Sequence, residues 1–497
     1  MDAELCYKRP DGNLCQIKQD DMLSDLPDYV LLTILDRLNV RDAARTSVLS
    51  RRWRQLPSML SRLVIDVSDF LDLSKDINEE IVRGNAAVMQ VTKNMLTRRE
   101  SSRNTIHLLS IAFVLREDDP MIIGNIVGHT MATHKIELAE FAVLTEWDNC
   151  DDDDLVDYGR KFMLFFDTCP NAFGGLTRVY LENLRFGDSD ISNILNTCKR
   201  LKHLHLFKCD SGSGRRLRVE HPQLSELIID DCSFEGLDLN LVPKLTRIVF
   251  EGWLSLQDPI SFGNVPLLKV VSLTNVCLRL HNMVKLSKFL WGISMRDLNL
   301  GFASEKIWVQ PERLTKRLAF VFHQLRFLYL VNIPEGYDLS WTFFIIKAAP
   351  NLKDLYLSVW DHLCAMETDP GKRRAQSYSE KKGAHWELPA SNFQHHSLAT
   401  LVIFGFRRGY YMASYVKCVL ESAVNLEEVF LYGRLWCSKC RKIDTPELSE
   451  RASQSTSTVW KDYVDKFITN GINTSAIVHL MTGGAFSDDR FAKLNSL

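Results

Sequence analysis

Cys437-Ser-Lys-Cys440 is a Cys-x-x-Cys pair, and two thiolates at that spacing are half of a tetrahedral zinc site. The other two ligands would have to come from a distance, for instance from His395 and His396, and no second Cys-x-x-Cys follows. The pair therefore reads as a chance one, and no metal site is expected. His203 and His205 alternate along one run and so share a face. Two imidazoles alone hold zinc weakly, and they read as exposed surface. Asp151–Asp154 reads as a solvated acidic loop, since consecutive carboxylates do not converge on one ion without distant ligands. Gly212-Ser-Gly214-Arg-Arg reads as a flexible basic turn. The chain lacks Gly-x-x-x-x-Gly-Lys, the paired-glycine dinucleotide fingerprint, His-Glu-x-x-His and Gly-x-Ser-x-Gly. No catalytic residue and no cofactor is assigned, and no enzyme is expected.

What these residues sit on is a chain of 497 residues, 46% hydrophobic, with a net charge of −2. That length exceeds one ordinary domain, and the near-neutral charge speaks against nucleic acid as a partner. Of the twelve cysteines, Cys198, Cys209, Cys232, Cys277 and Cys418 lie in apolar runs. They read as buried free thiols of a reducing compartment rather than a disulfide framework. The start, MDAELCYKRP, carries no apolar segment of a signal peptide. No run is long enough to span a bilayer, so no membrane partner is expected. A cytoplasmic or nuclear location follows as the expectation.

The dominant pattern is a repeat: an apolar residue, another three positions on, another two beyond. It begins at Leu176, Val179 and Leu181 and returns at Leu201, Leu224, Leu245, Leu268, Met295, Leu325, Leu352, Leu398 and Leu426. Most starts lie 21 to 30 residues apart, with one gap of 46. This is the period and core pattern of leucine-rich repeats. Cys209 and Cys232 fall where such repeats carry Asn or Cys. If the second and third apolar residues of each strand point inward, the residue between them points to the concave face. That column reads Tyr180, His205, Ile228, Val249, Ser272, Asn299, Tyr329, Tyr356, Val402, Phe430, flanked by Phe207, Phe327, Phe404 and Tyr432. Its late half is aromatic, as recognition surfaces tend to be. Tyr329, Tyr356 and Phe430 are therefore expected to be solvent-accessible and to bind a substrate.

Before the repeats, Val30, Leu31, Ile34, Leu35 and Leu38 share a helical face behind Leu26-Pro27, with Ser24 or Asp25 as a cap. A second short helix is expected near Arg41–Ser47, and a third near Ser50–Leu56. Arg62–Val67 reads as a strand and Asn78–Thr97 as a helix. Thr105–Leu115 and Lys135–Leu144 read as degenerate repeats.

The run Leu23-Ser-Asp-Leu26-Pro27 through Leu38, then Arg41 through Ser50-Arg51-Arg52-Trp53-Arg54, resembles an F-box. In that family the module docks on the Skp-type adaptor of a cullin-based ubiquitin ligase. The resemblance implies adaptor contacts at Leu26, Pro27, Val30, Leu31, Ile34, Leu35, Leu38, Val48 and Trp53. Farther on, Trp386-Glu-Leu-Pro389, His396-Ser-Leu398 through Gly405, and Tyr415 through Leu431 resemble the FBD domain that accompanies F-box and leucine-rich repeats in many plant proteins. The Pro-Cys-Leu usual before the His is here Ala390 through His395.

The expected fold is an α/β leucine-rich-repeat solenoid preceded by a small all-helical F-box. The expected division is a disordered 1–19, the F-box at 20–66, degenerate leading repeats at 67–175 and leucine-rich repeats at 176–360. A flexible insertion follows at 361–385, FBD-like terminal repeats at 386–440, and a polar tail at 441–497 with a helix near Val459–Ile468 and no repeat. The resemblance implies the substrate-recognition subunit of an SCF-type ubiquitin ligase. Its partners would be the Skp-type adaptor, a cullin through it, and a protein substrate. A ligase-independent scaffold and a small-ligand receptor are the alternatives.

Overall fold

The computed structural model describes residues 26–50, 52–72, 74–97, 99, 105–116, 119–147, 149–212, 214–253, 258–275, 283–302, 307–359, 369, 371, 392–407, 410–433 and 462–481. Ser24, Asp25, Trp386–Pro389, the Cys437 and Cys440 pair, residues 1–19 and most of the 361–385 segment lie outside them.

Among the described residues the backbone of the molecule is a parallel sheet of 14 strands. It starts with β1 (Arg62–Asp66), β2 (Ile106–Val114), β3 (Ile136–Leu144), β4 (Arg178–Glu182) and β5 (His203–Phe207). After β6 (Arg216–Glu220), which lies elsewhere, it resumes with β7 (Glu226–Asp230) and, past β8 (Gly236–Leu241), β9 (Arg247–Trp253). Past β10 (Ile260–Asn264) come β11 (Val270–Asn275), β12 (Asp297–Gly301), β13 (Phe327–Ile333), β14 (Asp354–Val359), β15 (Thr400–Phe404), β16 (Glu428–Tyr432) and β17 (Ile477–Met481). Each repeat contributes one strand, so neighbours in sequence are neighbours in the sheet. That is how a solenoid keeps its contacts local.

The repeat pattern places the core. Val179 and Leu181, Leu204 and Leu206, Leu227 and Ile229, and their equivalents through Val429 and Leu431 are all buried, as are the leading residues Leu176 through Leu426. They belong to one continuous apolar core running from Leu31 to Ile468. The column read from the sequence is in register throughout: Tyr180 opposes His205, then Ile228, Val249, Ser272, Asn299, Tyr329, Tyr356, Val402 and Phe430 follow. Cys209 and Cys232 satisfy the turn after their strands. Each thiol donates to a carbonyl of the preceding repeat, Cys209 to Leu181 and Cys232 to Leu206. The corner itself is left-handed at Asn183, Lys208, Asp231 and Asn332, and Asn and Asp tolerate that conformation better than most residues.

The return legs differ by repeat, following side-chain period. Asp190–Thr197, Lys316–Phe322, Phe343–Ala348 and Tyr410–Ser422 are helices. Leu217 with Val219, Leu237 with Leu239, and Ile260 with Phe262 alternate at period two, and these legs form a second, three-stranded parallel sheet, β6-β8-β10.

Four expectations need correction. The helix expected near Ser50–Leu56 is not found among the described residues: Arg52–Gln55 form a turn, and a 3-10 turn spans Leu56–Met59. Asp151–Asp154 is not a loop but a helix start. Asp151 caps Asp152–Thr168 in a reciprocal capping box with Asp154, and the acidic first turn suits the positive end of the helix dipole. His203 and His205 are half-buried rather than exposed. The tail holds a repeat after all, since β17 pairs with β16 in register, Phe430 opposite His479. The sequence hides it because the leading apolar residue of that repeat is Ser475.

Candidate functional site

The amino-terminal module is built on the helix Asp28–Leu35. Pro27 holds φ at −59° ahead of it, and its carbonyl accepts from Val30 and Leu31 at 3.0 and 3.2 Å. Side chains four residues apart then form rows. Leu31 and Leu35 make the inner row and are 0% exposed. Val30, Ile34 and Leu38, with Tyr29, Thr33 and Arg37 beside them, make the outer rows and line a shallow pocket of about 480 Å³. Tyr29 is 72% exposed and Val48 82%. Asn39 caps the second helix, Val40–Arg45, by accepting from Asp42 N–H at 2.8 Å. Arg52 ties the end of the module to its start, donating to Asp28 at 2.6 and 2.8 Å and to the Leu26 carbonyl at 2.6 Å.

Of the residues expected to face an adaptor, Pro27, Ile34, Leu38 and Val48 are exposed, and Leu26 and Val30 are partly so. Leu31, Leu35 and Trp53 are buried in the module's own core. This corrects their placement on the surface: the helix packs on the 3-10 turn Leu56–Met59, and its inner row belongs to the core. Tyr29 and Leu49, both exposed, escaped the sequence reading. The signal for Tyr29 was its place one residue before Val30, on the outward side of the inner row.

On the concave face the expected substrate residues are a correction. Tyr329, Tyr356 and Phe430 are 6, 3 and 4% exposed. They sit on the predicted face, outside the main core, but pack with Val402, Phe404 and Tyr432 into a second apolar cluster. Tyr356 meets Phe327 at 5.0 Å between ring centroids and Tyr329 at 6.3 Å, while Phe430 stacks on His479 at 4.5 Å. The pleat was read correctly. Exposure was not, because large rings on strands about 4.8 Å apart cover one another.

The open stretch of this face is the earlier one, and it is polar. Tyr180 and His205 are half-buried and meet edge-to-face at 4.8 Å. The next column aligns Glu140, Arg178, His203, Glu226 and Arg247 across five strands. Acidic and basic side chains pair across the strands: Arg178 lies 3.6 Å from Glu140, and Glu226 accepts from His203 at 2.9 Å and from Arg247 at 2.7 Å. The His203 hydrogen bond, then the Arg247 charge, pull the Glu226 carboxyl down to about 2 against its partial burial. Two further carboxyls on the face go the other way. Burial raises Asp230, helped by neighbouring Asp231, and burial raises Glu251, helped by Asp230. Charges so placed can recognise a polar surface of either sign. No group of three or more His, Cys, Asp or Glu side chains among the described residues could hold a metal. No helix among them is long and apolar enough to cross a membrane.

Comparison with known proteins gives the same two parts. The F-box domain family matches residues 23–64, and the family described as At1g61320/AtMIF1, LRR domain, matches residues 167–471. Three similar curated proteins come from Arabidopsis thaliana. The F-box/LRR-repeat protein At3g26922 is 26% identical over 52% of this chain and 83% of its own length. The F-box/FBD/LRR-repeat protein At3g52680 is 26% identical over 61% of this chain and 64% of its own. The F-box/FBD/LRR-repeat protein At2g04230 is 28% identical over 44% and 49%. The last two are thus matched over less than two thirds of their length. An F-box module packed on a parallel solenoid, with both domain families matched in that order, has one reading: the chain belongs to the plant F-box/FBD/leucine-rich-repeat family.

Proposed function

We propose that this chain is the substrate-recognition subunit of an SCF-type ubiquitin ligase. Its helical module docks a Skp-type adaptor, and through it a cullin. Its repeats hold a protein substrate. The observation that supports this best is the apolar surface of the module, where Tyr29, Ile34, Leu38, Val48 and Leu49 are exposed at once. A domain of this size has no reason to present so many large apolar side chains to water unless a partner covers them. Leu26 and Pro27 would set the angle at which the helix meets that partner. The domain division follows the same reading, with the F-box at 20–66, leading repeats to 175, repeats to 360 and FBD-like repeats from 386. The substrate would contact the polar, amino-terminal stretch of the concave face, around His205, Glu226 and Arg247. The late aromatic cluster is too buried to serve.

Affinity purification of the tagged chain tests this. Adaptor and cullin should co-purify with the wild type. Ile34→Asp with Val48→Asp should lose both while the repeats stay folded. Arg247→Glu should retain the adaptor and change the set of captured substrates. Retrieval of adaptor without cullin would favour a ligase-independent scaffold.

A further inference from the structure

Away from both faces discussed so far, the second sheet ends, among the described residues, at an edge with no further strand. β10 pairs with β8 on one side only. Pro259 accepts from Leu237 N–H at 2.8 Å, so by strand alternation the peptide groups of Ser261 and Gly263 face β8. Those of Ile260 and Phe262 face outward. Among the described residues of the next return leg, Met283–Lys285 do not pair with this edge. Val284 instead bridges forward to Val309, and its N–H donates to the Trp308 carbonyl at 2.8 Å. Between β10 and Met283–Lys285 lies a groove of about 1010 Å³, so the return-leg sheet stops one rung short of its neighbour.

The groove is apolar on its floor and cationic on its rim. Phe262 packs on Phe289 at 5.7 Å. Trp291 is 51% exposed and meets Phe320, itself 48% exposed, in a tilted contact at 5.4 Å between ring centroids, and Arg317 lies over the Trp291 ring at 4.6 Å. The carboxylates in the groove are already engaged: Asp238 by Arg216 at 2.8 Å and Asp258 by Lys288 at 3.7 Å. Glu312 nearby accepts from Ser287 N–H at 2.9 Å. Lys285 is exposed and has no carboxylate partner among the described residues. The surplus is therefore positive.

We propose that this groove docks an acidic, extended peptide segment of a partner protein, which adds as a strand along β10. Unpaired edge groups supply main-chain hydrogen bonds, and the rim supplies side-chain preference. Trp291 and Arg317 are the residue types that anchor such contacts. The surface is independent of both the F-box and the concave face, so the segment could belong to a protein other than the substrate.

Fluorescence anisotropy with the full-length chain tests it, using a fluorescein-labelled peptide of four glutamate-valine repeats. The same peptide N-methylated at alternate residues, and a lysine-valine peptide, serve as controls. The acidic peptide should bind. The N-methylated and lysine forms should bind at least tenfold more weakly, as should the acidic peptide to Lys285→Glu combined with Trp291→Ala. Both sites are on the surface, and unchanged thermal melting checks that the variant folds. Equal binding of the N-methylated peptide overturns strand addition. Equal binding of the lysine peptide overturns the charge argument. No binding of the acidic peptide at millimolar concentration overturns the site altogether.

Discussion

Two histidines do the same structural task in distant repeats. His221 and His395 each lie three residues before a leading leucine, Leu224 and Leu398, and both are buried. His221 donates through Nε2 to the Cys198 carbonyl at 3.1 Å, and its Nδ1 accepts from Gln223 at 3.2 Å. His395 donates to the Ala349 carbonyl at 2.9 Å and accepts from Leu398 at 3.0 Å. Each clasps the carbonyl three residues before the previous repeat's leading leucine, using the neutral tautomer. Burial lowers both histidines' proton affinity. Their contribution is complete above the unfolded value of about 6.5 and shrinks as pH falls below it, because the unfolded chain then binds protons that the folded chain refuses. The melting temperature should fall on acidification from pH 7.5 to 5.5. It should fall less steeply in the double variant His221→Gln, His395→Gln, and identical slopes would show that the clasps do not matter. At the same scale, Leu204→Ala, Ile229→Ala or Leu328→Ala should each cost about 2–5 kcal/mol. Denaturant titration measures that loss, and hydrogen exchange should place the loosening mainly in adjacent repeats. The sequence revealed these leucines because their spacing is periodic. It concealed the histidines' role, because nothing in a lone His states that a carbonyl waits in the preceding repeat.

At the level of elements, strand register was legible and cover was not. Leu-x-x-Leu-x-Leu fixes which residues share a face, and the ladder from Tyr180 to Phe430 follows it. Whether a residue on that face meets water depends on its neighbours in space. Tyr329, with Tyr356 beside it, is buried, whereas Tyr180, beside His205, stays half open. The helical module shows the same division: its helix face was visible in the sequence, but Leu31 and Leu35 had to be assigned to the inner row by structure. The final strand was missed because Ser475 stands where a leucine would announce it. β17 places His479 against Phe430, so it protects one end of the late aromatic cluster. Replacing Val478 and Leu480 by Asp should detach the strand and expose that cluster. An apolar dye should then bind more strongly, with a melting temperature a few degrees lower. Unchanged dye binding would mean that the strand covers nothing of consequence.

Over the whole molecule, one core joins the helical module to the solenoid. Leu31 and Leu35 lie in the same apolar cluster as Leu63, Leu204 and Leu431, and Arg41 donates to the Asp69 carbonyl at 2.8 Å across the junction. The module is thus held to the first strands, and an adaptor bound there would hold the repeats at a set position. That arrangement suits a subunit that presents a captured protein to enzymes carried by its partners, and it makes adaptor binding the claim on which the rest depends. The direct measurement is isothermal titration of a purified Skp-type adaptor into the full-length chain, beside the Ile34→Asp, Val48→Asp variant. The expected result is a one-to-one complex with the wild type, at least a hundredfold weaker with the variant, and the same melting temperature for both chains. Equal affinity for the two would contradict it.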